Sequence, residues 1–283
     1  MTKIANKNGH AAPVYAAATI ACKSAWLPHF DIATTATARL FVLPFAGGGA
    51  AQFLPLRGAA PDWLDIQPIQ TPGRESRLLE PAINDLPVLI NALMAEILPC
   101  LDRPFAFLGY SMGARMSLAL AHALLAGRHP QPRQLIVAAH AAPSLPSRVP
   151  IADSLDSDAF WKLIAQYEGT PGDVLKDDEL KALVEPSLRA DFRIARQAVT
   201  RAGLPLDIPI LALSGLSDPY VGPGDMQPWR DETSGPFRLE VIDGGHFFFR
   251  SHFEHFSGVV FDTLEPLASE HGKPRWPTKI NES

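Results

Sequence analysis

Residues Gly109-Tyr110-Ser111-Met112-Gly113 read G-x-S-x-G. They lie between the apolar run Phe105-Ala106-Phe107-Leu108 and a helix-like run from Ala114 to Leu125. A strand, a tight turn and a helix in that order form a nucleophile elbow. The turn is too tight for bulky residues two positions from the serine, hence a glycine on each side at that spacing. It lifts the Ser111 hydroxyl off the end of a sheet and sets it at a helix N-terminus, where the helix dipole favours a developing anion. A Gly-rich turn with an idle serine is common in α/β proteins, so the rest of the chain has to carry the reading further.

The chain around the elbow alternates between two periodicities. Strand-like runs occur at Arg39 to Pro44, Leu64 to Ile69, Phe105 to Leu108, Leu135 to Ala139, Ile208 to Leu213 and Phe237 to Ile242. Helical patterns lie between them. In one, Leu86, Leu89, Ile90, Leu93, Met94, Ile97 and Leu98 fall on one face, with Asp85 as N-cap. Alternation of this kind predicts a mostly parallel sheet with helices on both faces. Residues 146–203 break the rhythm. They hold no convincing strand and read as helices from Asp156 to Tyr167, Asp177 to Val184 and Pro186 to Arg201, with Pro186 in a first helical turn. Behind the Pro- and Ser-rich lead-in Pro143 to Pro150, this insertion is expected to be a helical lid. The predicted organisation is a core of 26–145 and 204–268, the lid, a mobile extension over 1–25 and a tail over 269–283.

With 283 residues and 47% hydrophobic content the chain can bury a large core. Net charge is −5 and the pI is about 6.0, which argues against a general nucleic-acid or anionic-membrane binder. No stretch is long and apolar enough to span a bilayer. Two cysteines, Cys22 and Cys100, do not make a disulfide framework, so a cytoplasmic location is the default. Val14 to Ala21 follows Lys3 and Lys7 and faintly suggests a signal peptide. It is short and leads into Lys23 rather than a clear cleavage site, which leaves secretion as the lesser alternative.

A serine nucleophile needs a base, and the base needs an orienting acid. In α/β-hydrolases the chain order is serine, acid, histidine. The turn Ser214 to Pro219 and the turn Gly244-Gly245-His246 both follow late strands. They offer Asp218 as acid, with Asp225 as second choice, and His246 as base, with His140 as its serious rival. The remaining histidines fit poorly, and no metal-ligand spacing is present. The oxyanion hole requires two backbone donors. Met112 would supply one. Ala46, or Phe45, would supply the other from the loop Pro44 to Gly49, whose glycines allow close approach. That loop lacks the Lys-Ser/Thr ending of a phosphate-binding P-loop.

Taken together the chain resembles a type II thioesterase, the free-standing editing enzyme of nonribosomal peptide and polyketide synthesis. The resemblance covers about residues 26 to 262. It rests on Leu43-Pro44-Phe45-Ala46-Gly47-Gly48, on Pro72-Gly73-Arg74-Glu75-Ser76-Arg77-Leu78-Leu79-Glu80-Pro81, and on Gly109 to Ala114. Gly169-Thr170-Pro171, Leu188 to Phe192 and Gly244 to Phe248 complete it. It implies an α/β-hydrolase fold, a triad of Ser111, Asp218 and His246, and no cofactor. It also implies a substrate: an acyl group in thioester linkage to the phosphopantetheine arm of an acyl or peptidyl carrier protein. The chain departs from the family in three places. Tyr110 stands where His is frequent, Gly49 where Ser is frequent, and Gln197-Ala198-Val199 replace acidic and aromatic residues. Arg189, Arg193 and Arg196 recur at helical spacing and offer a basic face to an acidic carrier, or simply pair locally with Asp191 and Glu185. A generic esterase or acyltransferase, or a carrier-binding module without catalysis, are the alternative readings.

Overall fold

The computed structural model describes residues 24–31, 35–152, 154–167, 169–170, 172–202 and 205–269. Six strands form one sheet: β1 (Ala38–Leu43), β2 (Leu64–Pro68), β3 (Phe105–Tyr110), β4 (Gln134–Ala138), β5 (Ile210–Gly215) and β6 (Phe237–Ile242). Their order is β2-β1-β3-β4-β5-β6, and every described pairing is parallel. The expectation of a mostly parallel sheet with helices on both faces therefore holds.

The strand sequences show why both faces are covered. Parallel strands buried on both sides are continuously apolar. Along β1, Phe41 and Leu43 point into one core while Leu40 and Val42 point into the other. In β3, Phe105 and Phe107 alternate in the same way with Ala106, Leu108 and Tyr110. One face is covered by α2 (Leu86–Ile97) and α3 (Met112–Ala126). The other is covered by α1 (Leu54–Gly58), α8 (Phe248–Ser251) and α9 (Phe253–Leu264). Helix α2 starts where expected, with Asp85 accepting the Val88 N–H at 3.0 Å.

Between β4 and β5 the chain leaves the sheet and forms α4 (Ser157–Ile164), α5 (Gly172–Lys176) and α6 (Asp178–Arg196). A small apolar cluster of Ala152, Phe160, Trp161, Ile164, Leu188 and Phe192 unites α4 and α6. The two helices expected on either side of Pro186 are in fact one, with the proline inside it. Proline forfeits one backbone hydrogen bond. The flanking turns compensate here by burying Leu188 and Phe192 in that cluster and by the Asp177 cap, which accepts from Glu179 and Leu180. Helix α5 went unread in the sequence because it is short and buries no residue. A further helix, α7 (Pro223–Met226), follows β5.

Among the described residues no helix is long and apolar enough to cross a membrane. Most of the expected extension and all but the first residue of the expected tail, 1–23 and 270–283, lie outside the described residues. Cys100 is disulfide-bonded.

The strand order sets the position of the site. From β1 the chain moves to β2 on one side, and from β3 onward it moves to the other. The C-terminal ends of β1 and β3 flank this reversal, where open α/β sheets bind ligands. Helix α3 packs close to β1 there. A Cβ built on Gly113 would lie 2.0 Å from the Leu43 carbonyl oxygen, and one on Gly109 would lie 2.2 Å from the Gly113 carbonyl oxygen. Both obstacles are backbone and cannot move aside. Gly113→Ala is therefore expected to cost several kcal/mol or prevent folding. Gly58→Ala, in open space at the end of α1, should be neutral or stabilise by about 0.5 kcal/mol. Thermal unfolding of the two variants checks the contrast.

Candidate active site

Ser111 caps α3 with φ 52° and ψ −116°. A non-glycine residue at positive φ stores on the order of 1–3 kcal/mol of strain and persists only where its surroundings dictate it. The close contacts at Gly109 and Gly113 do so, and the Ser111 N–H is fixed to the Ala138 carbonyl at 2.8 Å. The hydroxyl lies 3.1 Å from His246 Nε2. His246 Nδ1 lies 2.7 Å from Asp218 Oδ2. The other carboxylate oxygen, Oδ1, accepts the N–H groups of Tyr220 at 2.8 Å and Val221 at 3.1 Å. The Asp218 side chain is fully buried. Because Nδ1 faces a carboxylate it carries the proton, and Nε2 is left to accept from Ser111. Such an arrangement can withdraw a proton from the hydroxyl as it attacks a carbonyl.

The rivals are elsewhere. Asp225 pairs with Arg148 at 2.9 Å and accepts the Gly222 N–H. The ring nitrogens of His140 face the carbonyl oxygens of Ala141 at 2.8 Å and Ala195 at 3.3 Å. Burial, aided by the nearby Arg115 cation, pushes the His140 pKa down to about 4, so it is neutral at ordinary pH. Among the described residues no group of three or more His, Cys, Asp or Glu is placed to hold a metal ion.

Tyr110, where the family resemblance leads one to expect histidine, is fully buried and its hydroxyl donates to the His246 carbonyl at 2.6 Å. Burial raises the phenol well above its ordinary pKa and keeps it a donor. The ring packs among Phe247, Phe248, Phe249 and Phe256. Tyr110 thus anchors the backbone of the histidine loop from the residue before the serine. Nothing in the sequence shows that pairing, because the two positions are 136 residues apart.

The two expected anion donors are both without an acceptor. Met112 begins α3, so its N–H has no intrahelical acceptor. Among the described residues neither it nor the Ala46 N–H has a hydrogen-bond partner. Ser111, His246, Phe45 and Ala46 line one cavity of about 240 Å³ between the sheet and the inserted helices. Leu145, Val149, Ile164, Leu188 and Phe192 make much of the remaining wall apolar.

Asp191 on α6 is a residue the sequence did not single out for this site. It is 3% exposed. Its carboxylate accepts both Arg74 nitrogens, at 2.6 and 2.8 Å, and the Gly47 N–H at 2.7 Å. Arg74 also donates to the Gly48 carbonyl at 3.2 Å. The insertion therefore grips the loop that carries Ala46. The arginine face is largely engaged in other contacts. Arg189 pairs with Glu185 at 2.7 Å, lies over the Phe160 ring and bonds the Ala152 carbonyl. Arg196 donates to the Val149 carbonyl, and only Arg193 of the three is classed as exposed. Local pairing with Glu185 is as anticipated, but Asp191 belongs to Arg74.

Asp191→Asn leaves the buried Arg74 cation without its counter-charge, at a cost of about 3–5 kcal/mol. Hydrogen exchange should accelerate over 45–49 and α6 while β3 stays protected. Unchanged exchange in both segments would show that the ion pair holds neither.

A family model described as a thioesterase domain matches residues 38–264. Linear gramicidin dehydrogenase LgrE of Brevibacillus parabrevis is 34% identical over 245 residues, 86% of this chain and 93% of that protein. Thioesterase PikA5 of Streptomyces venezuelae is 33% identical over 241 residues, 84% of this chain and 85% of its own. Among solved structures, the type II thioesterase BorB from the borrelidin biosynthetic cluster superposes with a TM-score of 0.73 at 32% identity, covering 81% of this chain and 93% of BorB. With the α/β-hydrolase sheet, the strained serine elbow and these relatives in agreement, the chain belongs to the thioesterase family, as a type II thioesterase acting on thioesters.

Proposed function

We propose that Ser111, His246 and Asp218 are the catalytic triad of this thioesterase, and that its substrates are acyl groups on the phosphopantetheine arms of carrier proteins. The observation that carries the reading is the hydrogen-bonded series at 3.1 and 2.7 Å, opening on an apolar cavity. His246 takes the Ser111 proton as Oγ attacks the thioester carbonyl. Asp218 holds the imidazole tautomer and stabilises the imidazolium. The Met112 and Ala46 N–H groups receive the oxyanion. The tetrahedral intermediate collapses with loss of the pantetheine thiol, which His246 reprotonates. Water, deprotonated by His246, then releases the acid and frees Ser111.

The insertion 146–203 serves as the lid in this reading. It covers the cavity and meets the acid loop where Tyr167 stacks on Tyr220 at 4.5 Å. The type II thioesterase YbtT, from the yersiniabactin biosynthetic pathway, is 25% identical to this chain, and ClbQ from the colibactin pathway is 28% identical. A role in clearing stalled or misprimed acyl groups from such an assembly line agrees with those relatives. The exposed Arg193 is the member of the arginine set left to meet an acidic carrier.

Ser111→Ala should abolish labelling by a fluorophosphonate and covalent turnover, with His246→Ala nearly as severe because the pair acts as a unit. Asp218→Asn should lower kcat by about 10⁴, while Asp225→Asn should have little effect. A larger loss at Asp225 would displace Asp218 from the triad. Hydrolysis of acyl groups on carrier proteins, compared with the same groups on a small thiol and on free esters, tests the substrate. Faster turnover of free esters would favour a general esterase. Intact folding with no fluorophosphonate labelling would favour a binding module.

A further inference from the structure

The wall of the cavity over Ser111 also contains a cation with no ion-pair partner among the described residues. Arg115 lies in the first turn of α3, four residues after the capping Ser111, and both line the cavity. Arg115 is 5% exposed. Its Nη1 donates to the Gln197 carbonyl at 2.6 Å, at the C-terminal end of α6. Its Nε is buried with no partner, and no carboxylate pairs with the guanidinium among the described residues. The more distant charges do not compensate. Arg201 and Glu232 act on Arg115 in opposite senses, and they are bonded to each other at 2.6 Å. His140, on the same cavity wall, is neutral. The other cation of the wall, Arg148, already has Asp225.

Burying a guanidinium is costly unless it is paired, and arginine does not escape the cost by losing its proton at ordinary pH. One carbonyl and the partial negative charge of a helix C-terminus offset only part of it. Arg115 lines the same cavity wall as Ser111, the wall that receives the acyl chain in the reading above. We infer that Arg115 is a specificity residue that receives a carboxylate at the far end of the acyl group, so that the cavity favours dicarboxylic half-thioesters over simple fatty acyl chains. Four residues of helical rise set the two Cα positions about 6 Å apart along the axis, which makes a chain the length of a six-carbon diacid a fitting probe. Leu145, Val149, Ile164, Leu188 and Phe192 would face its methylenes.

This inference rests on Ser111 as the nucleophile and on carrier-bound acyl substrates. The test loads adipoyl, hexanoyl and 6-hydroxyhexanoyl groups onto one phosphopantetheinylated carrier protein. The kcat/KM ratio between substrates is measured on single preparations of the native enzyme, Arg115→Met and Arg115→Lys. A ratio within one preparation is unaffected by any misfolded fraction. A charge-assisted hydrogen bond sets the expected scale at roughly 10- to 100-fold. Adipoyl should exceed hexanoyl by that factor in the native enzyme, lose the advantage in Arg115→Met and keep part of it in Arg115→Lys. An adipoyl-to-hexanoyl ratio that is the same in native and Arg115→Met enzyme overturns the inference while leaving the triad standing. So does a native preference for the hydroxyl-ended chain over adipoyl. Failure of the native enzyme to cleave any carrier-bound substrate removes the functional reading, and this inference with it.

Discussion

Helix α3 begins where it does because Gly113 has no side chain. Its Cα lies so close to the end of β1 that any Cβ would overlap the Leu43 carbonyl. That approach is what turns the chain sharply enough to hold Ser111 at positive φ, above the sheet and at the helix end. The N–H of Met112 is left without an acceptor by the same turn, and the loop after β1 is brought alongside it. The proposed nucleophile and the proposed anion donors therefore both depend on one steric contact between two backbones. The strain at Ser111 is held by the packing of α3 against the strands on either side of the reversal in strand order.

The site is completed by charges buried between the sheet and the inserted helices. The Asp191–Arg74 pair is shielded from solvent and bidentate, a geometry in which an ion pair resists both water and salt. Because the same carboxylate accepts from Gly47, the position of α6 and the geometry of the loop after β1 are linked. Arg115 contrasts with this. It makes one bond to the end of α6 and has donors to spare. In one case a buried arginine meets a carboxylate from the protein; in the other the geometry leaves that place to the ligand.

The departures from the family also find physical reasons. Tyr110 in place of histidine gains a hydroxyl long enough to reach the His246 carbonyl while its ring fills an aromatic cluster. Gln197 ends α6, and its side chain bonds the Leu86 N–H and the Asn84 carbonyl, fixing the helix to the start of α2. An acidic residue there could not donate to that carbonyl. Gly49 lies against Glu75 and Gln70, where a Cβ would be 2.3 Å from a Glu75 carboxylate oxygen, so a serine there would require Glu75 to shift.

Much of this protein was legible in the order of its residues. Alternating strand and helix periods gave the sheet class, since parallel strands covered on both faces must be apolar throughout. The elbow was legible because its glycines answer a local steric demand. Ser, Asp and His could be chosen because each follows a strand end, and the sheet collects strand ends in one place. Other features depended on contacts that leave no local trace. Pro186 looked like a helix start, yet packing on its two flanks carries α6 through it. Arg189, Arg193 and Arg196 shared a helical face, but tertiary neighbours gave Arg189 and Arg196 internal partners. Asp191 meets Arg74 across 117 positions, and Tyr110 meets His246 across 136. The sequence determined the elements and the chemistry at their ends, because short-range sterics and periodicity are written locally. The tertiary structure alone decided which buried charges and hydroxyls are paired, because desolvation and hydrogen bonding depend on what the completed fold brings within reach.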